Sequence, residues 1–234
     1  MEKGALLYEG KAKRVYETSD PDLLWIEYKD SATVFDGKKK AEIAGKGRLN
    51  NLISSIVFTK LQERGIASHF VRQLSETEQL VNKVEIIPLE VVVRAYAAGS
   101  ISKRLEIPEG TELPRPIVEF YYKNDALGDP LLTEDHIEIL GLASKAEVEL
   151  LKAKALEVNQ VLSELFRQLG IKLVDFKLEF GRDSQGNIVL ADEISPDTCR
   201  LWDLETGERL DKDVFRRDLG SLTEAYEAIL ARLS

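Results

Sequence analysis

The clearest hydrophobic pattern in the chain runs from Leu173 to Leu190. Asp175, Lys177 and Glu179 alternate with Val174, Phe176, Leu178 and Phe180, and a period of two places the two sets on opposite faces of a strand. The polar turn Asp183 to Gly186 returns the chain through Ile188, Val189 and Leu190, so the stretch predicts a β-hairpin. Asp192 and Glu193 close the returning strand, and pairing brings Asp192 within about one register step of Glu179.

Earlier in the chain, Ala5 to Thr18 predicts two short strands meeting at Gly10, with a third at Leu23 to Tyr28. Thr33 to Gly37, followed by Lys38, Lys39 and Lys40, reads as a solvated loop. Leu49, Leu52, Ile53, Ile56, Val57 and Leu61 have helical spacing and predict a helix over 47–64, stopped by Gly65. Strands are expected at His69 to Leu74, at Glu78 to Val84, and over the β-branched run Ile86 to Val93, which ends at Arg94. A short helix should follow from Ser100 to Leu105, then a loop from Pro108 to Pro116 and a strand from Ile117 to Tyr122. Lys123 to Pro130 is rich in turn residues, and Thr133 to Leu140 reads as a short helix. Ser144 and Glu147 form a capping box that opens a long amphipathic helix to Leu169, closed by Gly170. Helices over 213–219 and 222–233 complete the chain. No repeat, low-complexity tract or linker interrupts it.

The chain has 234 residues, enough for one large domain or two small ones. Its formal net charge of −9 argues against a nucleic-acid-binding surface, while a local basic pocket stays compatible with it. One cysteine, Cys199, excludes an internal disulfide and fits a reducing compartment. With no nearby histidine to activate it, Cys199 reads as a packed thiol. No N-terminal apolar segment has signal-peptide form and no apolar run is long enough to span a membrane. A cytoplasmic protein is expected. The two histidines, His69 and His136, stand in unrelated contexts and suggest no catalytic pair.

Three groups of residues change this picture. Glu179 and Asp192 are like charges that repel unless a cation or a basic group lies between them. An oxygen-only pair of this kind suits magnesium, which takes one or two carboxylates and completes its shell with water and phosphates. Gly10, Lys11, Ala12 and Lys13 offer backbone N–H groups and two ammonium groups, a cradle for polyphosphate. The spacing is not that of a Walker loop. Arg94, with a glycine and Ser100 opening a helix, has the form of a phosphate site, and Arg200 and Arg216 add further cations. Together these residues describe an enzyme that uses ATP on a small anionic molecule. They do not choose between a kinase and an ATP-dependent ligase.

The segments IIPLEVVVRAYAAGS (Ile86 to Ser100) and LVDFKLEFG (Leu173 to Gly181) resemble the two signatures of the SAICAR synthetase family of purine biosynthesis. YEGKAKRVYE near the start and ADEISPDTCRLWD later also match, so the resemblance covers Leu7 to Leu233. It implies an ATP-dependent carbon–nitrogen ligase that joins L-aspartate to the carboxylate of an aminoimidazole ribonucleotide (CAIR), giving SAICAR, ADP and phosphate through an acyl phosphate. By the same resemblance, Gly10, Lys11, Ala12, Lys13 and Lys123 would contact the nucleotide phosphates. Val81, Asn82 and Val84 would face adenine, and Glu179 and Asp192 would hold Mg2+. Arg94, Ser100 and Arg200 would grip the ribonucleotide phosphate, while Asp175 and Lys177 orient the imidazole carboxylate and amine. Asp36, Gly37 and Arg216 join the substrate contacts, with Lys13, Asp175 and Lys177 as the catalytic set. The implied fold is α+β: an antiparallel unit over residues 1–84, like the small lobe of a kinase, closes over nucleotide on a larger unit over 85–234. The implied assembly is a homodimer.

Overall fold

The alternating stretches near the N-terminus pair as a meander. Strands β1 (Lys3–Glu9), β2 (Lys13–Thr18) and β3 (Leu23–Tyr28) follow one another, with the turn at Gly10 joining the first two. The computed structural model describes residues 2–34 and 39–234. Asp36 and Gly37, expected among the substrate contacts, lie outside the described residues. The loop expected after Thr33 is in part regular: β4 (Ser31–Val34) pairs antiparallel with β5 (Lys39–Glu42). Lys39 is drawn in because its ammonium reaches the carbonyl of Phe215 at 2.7 Å and Asp218 at 2.6 Å.

Helix α1 (Lys46–Glu63) then leads to β6 (Phe70–Gln73) and β7 (Glu78–Asn82), and the first sheet is ordered β1-β2-β3-β7-β6. The apolar run at Ile86 is not one strand. Pro88 has no amide hydrogen to give a ladder, so the run divides into β8 (Glu85–Ile86) and β9 (Leu89–Tyr96). Arg94 therefore lies inside β9 and not at a strand end. Next come α2 (Ser100–Leu105) and β10 (Glu112–Tyr122), which starts five residues before the strand expected from sequence. The shift has a cause: β10 pairs with β9 at Glu112, then loses register until Ile117 across a segment holding two prolines.

A 3-10 turn over Asp125–Leu127, β11 (Leu131–Leu132) and α3 (Glu134–Ile139) precede α4 (Lys145–Gln168), which carries the expected Ser144–Glu147 capping box. The hairpin is β12 (Ile171–Arg182) and β13 (Ile188–Ala191), with Glu179 opposite Ala191. A strand unforeseen in the sequence, β14 (Cys199–Asp203), pairs with the first half of β12. A register shift between Leu173 and Asp175 interrupts the alternation there. Val174 is thereby turned from the main core into a small cluster with Ala98 and Trp202. Helix α5 (Asp213–Arg216) is a single turn, shorter than expected, because Asp218 adopts a left-handed backbone. Helix α6 (Leu222–Leu233) ends the fold.

β12 is the organising strand of the second sheet. Its first half lies between β9 and β14 and its second between β8 and β13. The apolar faces of α1, α4 and α6 pack with it in one cluster that includes Phe58, Phe166, Phe176, Phe180 and Tyr226. With both sides of the strand paired and one face sealed by helices, the polar face that carries Asp175, Lys177 and Glu179 is held rigidly. Among the described residues no helix is long and apolar enough to cross a membrane.

Candidate active site

The antiparallel register of β9 and β12 sets Asp175 opposite Arg94 and Lys177 opposite Val92. Side chains from these two strands form the floor of a cavity of about 680 Å³. The β1–β2 turn, Gly10 to Lys13, reaches over one end of it. Val15, Leu24, Ile26 and Val81 give that end an apolar wall, and Val84 and Asn82 lie beside it. A flat heterocycle fits such a wall, with its anionic substituents toward the lysines.

Those lysines are interleaved with carboxylates. The Lys177 ammonium lies 2.7 Å from Glu179 and 2.8 Å from Asp192, so the acidic pair is bridged by a basic group. Lys123 contacts Glu179 at 2.9 Å, and Lys13 contacts Asp192. Burial works against the charge on Lys13, yet Asp192 and Glu193 beside it push its pKa up. Burial likewise opposes ionisation of Asp192, and Lys13 and Lys177 overcome it and hold the carboxyl far below its ordinary value. At the mouth, Lys11 meets Asp125 at 2.8 Å. Asp192 is one of four described non-glycine residues with a positive φ, here 61°. A strained backbone at a charged cluster is a recurrent mark of function.

His69, which the sequence did not single out, stabilises that backbone. Its ring Nε2 donates to the carbonyl oxygen of Asp192 at 3.1 Å, and its amide donates to Leu190 at 2.7 Å. Burial first, then Lys13, lowers its pKa from 6.5 to about 4. A folded-state pKa below the unfolded one contributes stability that is present above pH 6.5 and lost as pH falls through about 4. We expect about 3 kcal/mol of unfolding free energy to disappear over this window. His69→Gln, which keeps a donor, should flatten the slope in denaturant titrations at successive pH values.

At the other end of the floor, arginines and carboxylates alternate. Arg94 is 3% exposed. It contacts Asp175 at 2.5 Å, Glu119 at 2.8 Å and the Ser100 hydroxyl at 2.9 Å. Arg200 approaches Asp175 at 2.9 Å and Asp213 at 3.0 Å, and Arg216 contacts Asp213 at 2.6 Å. Gly99, with φ 62°, makes room for this: a Cβ there would stand 2.5 Å from the Arg200 guanidinium. Gly99→Ala should therefore cost about 1–3 kcal/mol through backbone strain and displace Arg200. Thermal melting and the affinity for a phosphate ligand would read the two effects.

Gly10, Lys11, Ala12, Lys13 and Lys123 line the same cavity as Glu179 and Asp192, as the sequence suggested, and so do Val81, Asn82 and Val84. Arg94, Asp175, Arg200 and Arg216 line its other half, with Lys177 between the two, and Ser100 is attached through Arg94. Besides His69, two features escaped the sequence reading. Glu90 lines the floor in the same alternating phase as Arg94, a signal that was present in LEVVVR. A buried node joins Asp197 to Lys46 at 2.7 Å, Lys212 at 3.2 Å and the Tyr226 hydroxyl at 2.6 Å. No local pattern marks it, since its members come from four separate segments. Cys199 is a buried free thiol whose pKa is pushed up by burial.

Comparison with known proteins places the chain in a family. The SAICAR synthetase family model matches residues 6–233. The phosphoribosylaminoimidazole-succinocarboxamide synthase of Lysinibacillus sphaericus is 64% identical over 233 residues, 100% of this chain and 99% of that protein. The crystal structure of the Ehrlichia chaffeensis enzyme of the same name superposes with a TM-score of 0.96 at 50% identity, covering 98% of each chain. A SAICAR synthetase solved in complex with ADP gives a TM-score of 0.94 at 53% identity, covering 97% of each chain. On whole-chain similarity of both sequence and fold, this chain belongs to the SAICAR synthetase family.

Proposed function

We propose that this chain carries out the family's ATP-dependent ligation in the cavity between the β1–β2 turn and the β9–β12 floor. The observation that carries the reading is the division of that one cavity into a lysine–carboxylate end and an arginine end. Two anionic reactants can lie there head to head. A carboxylate is a poor electrophile, so phosphoryl transfer from ATP to the imidazole carboxylate must come before attack by the aspartate amine. The protein then has little covalent chemistry to do; positioning and charge neutralisation dominate.

In this reading the apolar wall at Val15, Leu24 and Val81 takes adenine, and the Gly10 to Lys13 turn covers the triphosphate. Glu179 on β12 and Asp192 just past the end of β13 are hard oxygen donors, a set that fits magnesium sharing its shell with phosphates. They would hold the ion, which supplies neutralisation of phosphate charge when bound. Lys177, placed between the two ends, orients the carboxylate that accepts the phosphoryl group. Arg94, Ser100 and Arg200 hold the ribonucleotide phosphate, with Asp175 locking both guanidiniums in place. Arg216, which also lines the cavity, takes aspartate. Residues 1–84 supply the nucleotide cover and residues 85–234 the substrate floor. The working form is a cytoplasmic homodimer, which light scattering on the purified protein would check for its mass.

The test is release of ADP with each reactant omitted in turn. Ligation requires ATP, the imidazole carboxylate and aspartate together for sustained turnover. Sustained ADP release with a stable phosphorylated product and no amine would instead identify a small-molecule kinase.

A further inference from the structure

We propose that Glu90 recognises the exocyclic amine of the aminoimidazole ribonucleotide and so sets the specificity of the site. The inference rests on the ligase reading above and adds a residue to it. Glu90, Val92 and Arg94 line the cavity from β9, as Asp175, Lys177 and Glu179 do from β12. The register runs Asp175 to Arg94 and Leu178 to Val91, so one further step sets Glu90 beside Glu179. Like charges placed directly across a sheet are destabilising. Val92, two residues away on the same face, shows that this floor accommodates an apolar side chain.

The neighbouring carboxylates on the floor are occupied. Asp175 is held by Arg94 and Arg200, and Glu179 by Lys177 and Lys123. Among the described residues, Glu90 makes one ion pair, to Lys177 at 4.0 Å, longer than a hydrogen bond. Its side chain is 25% exposed, and it therefore retains acceptor capacity toward the cavity.

Position gives that capacity a partner. Along β9, Glu90 and Arg94 stand about 13 Å apart at the backbone. Both side chains leave β9 on the face that lines the cavity, so a ligand lying along the strand meets both. A ligand whose phosphate sits at Arg94 and Ser100 lies along β9 over Val92 and brings its heterocycle to Lys177 and Glu90. The ring carboxylate needs a donor, which is Lys177. The amine beside it needs an acceptor, which is Glu90. Glu193 also has a buried oxygen with no hydrogen-bond partner, but it lies 3.6 Å from Lys13, at the nucleotide end.

The experiment compares the amino-substituted ribonucleotide with its des-amino analogue in wild type, Glu90→Gln and Glu90→Leu. Wild type should prefer the amino substrate by about ten- to a hundredfold in kcat/KM, as expected for a hydrogen bond to a charged acceptor. Glu90→Leu should erase the preference by raising the KM of the amino substrate, with nucleotide affinity unchanged by direct titration. Glu90→Gln, which keeps a neutral acceptor, should recover part of it. An undiminished preference in Glu90→Leu, or a loss confined to ATP binding, overturns the assignment. Wild type that makes no product from the amino substrate, aspartate and ATP overturns the ligase reading itself, and with it this one.

Discussion

Lys177→Met should lower kcat by about a hundred- to a thousandfold, the usual cost of removing one preorganised charge partner from a reacting centre. The reason lies in the geometry at Glu179 and Asp192. The Lys177 ammonium bridges these carboxylates at 2.7 and 2.8 Å and has no substitute in that position. Glu179 is 3% exposed, so the lost cation leaves its charge poorly solvated. Lys123 and Lys13 each hold only one member of the pair. Single-turnover measurement of phosphoryl transfer would isolate the effect from product release. Nucleotide titration would show whether the acidic pair, freed of its bridge, binds metal-nucleotide more tightly or less. A variant that keeps most of its single-turnover rate would remove Lys177 from the reacting centre.

Asp175→Ala should produce the largest loss of stability. Asp175 is 3% exposed and is the shared counter-ion of Arg94 and Arg200. Removing one partner of a buried ion pair typically costs about 3–5 kcal/mol, because the remaining charge is stranded. Two guanidiniums are stranded here, although Glu119 and Asp213 still hold their far sides. For a chain of this size the melting temperature should fall by roughly 10 °C. Asp175→Asn, which preserves shape, should melt closer to wild type but show a raised KM for the ribonucleotide, since the arginines lose alignment. Equal melting of Asp175→Ala and wild type would mean that the alternating chain is not a structural element.

These two residues also show what could be read without a structure. Asp175, Lys177 and Glu179 were legible as one face because the alternation carries its own geometry. The neighbourhood of Asp192 and Glu179 followed from a hairpin whose turn residues announce it. The long helix α4 was legible too, through its capping box and apolar stripe. The misreadings share a cause. Arg94 was placed at a strand end and β14 was not seen, because strand limits depend on which neighbour completes the ladder. That neighbour is distant in sequence. The lysine-bearing stretch after Thr33 read as solvated, and only the approach of Phe215 and Asp218 explains the strand position of Lys39.

By itself, then, the amino-acid order determined the hairpin, the helices, the family resemblance and the residue types available for binding a nucleotide and a sugar phosphate. These follow from local periodicity, turn chemistry and motif. The tertiary structure alone decided that a lysine bridges the acidic pair, that Asp175 locks two arginines, and that Glu90 keeps acceptor capacity on the floor. Each of these depends on strand register and on burial, through which residues far apart in the chain set one another's charge and orientation.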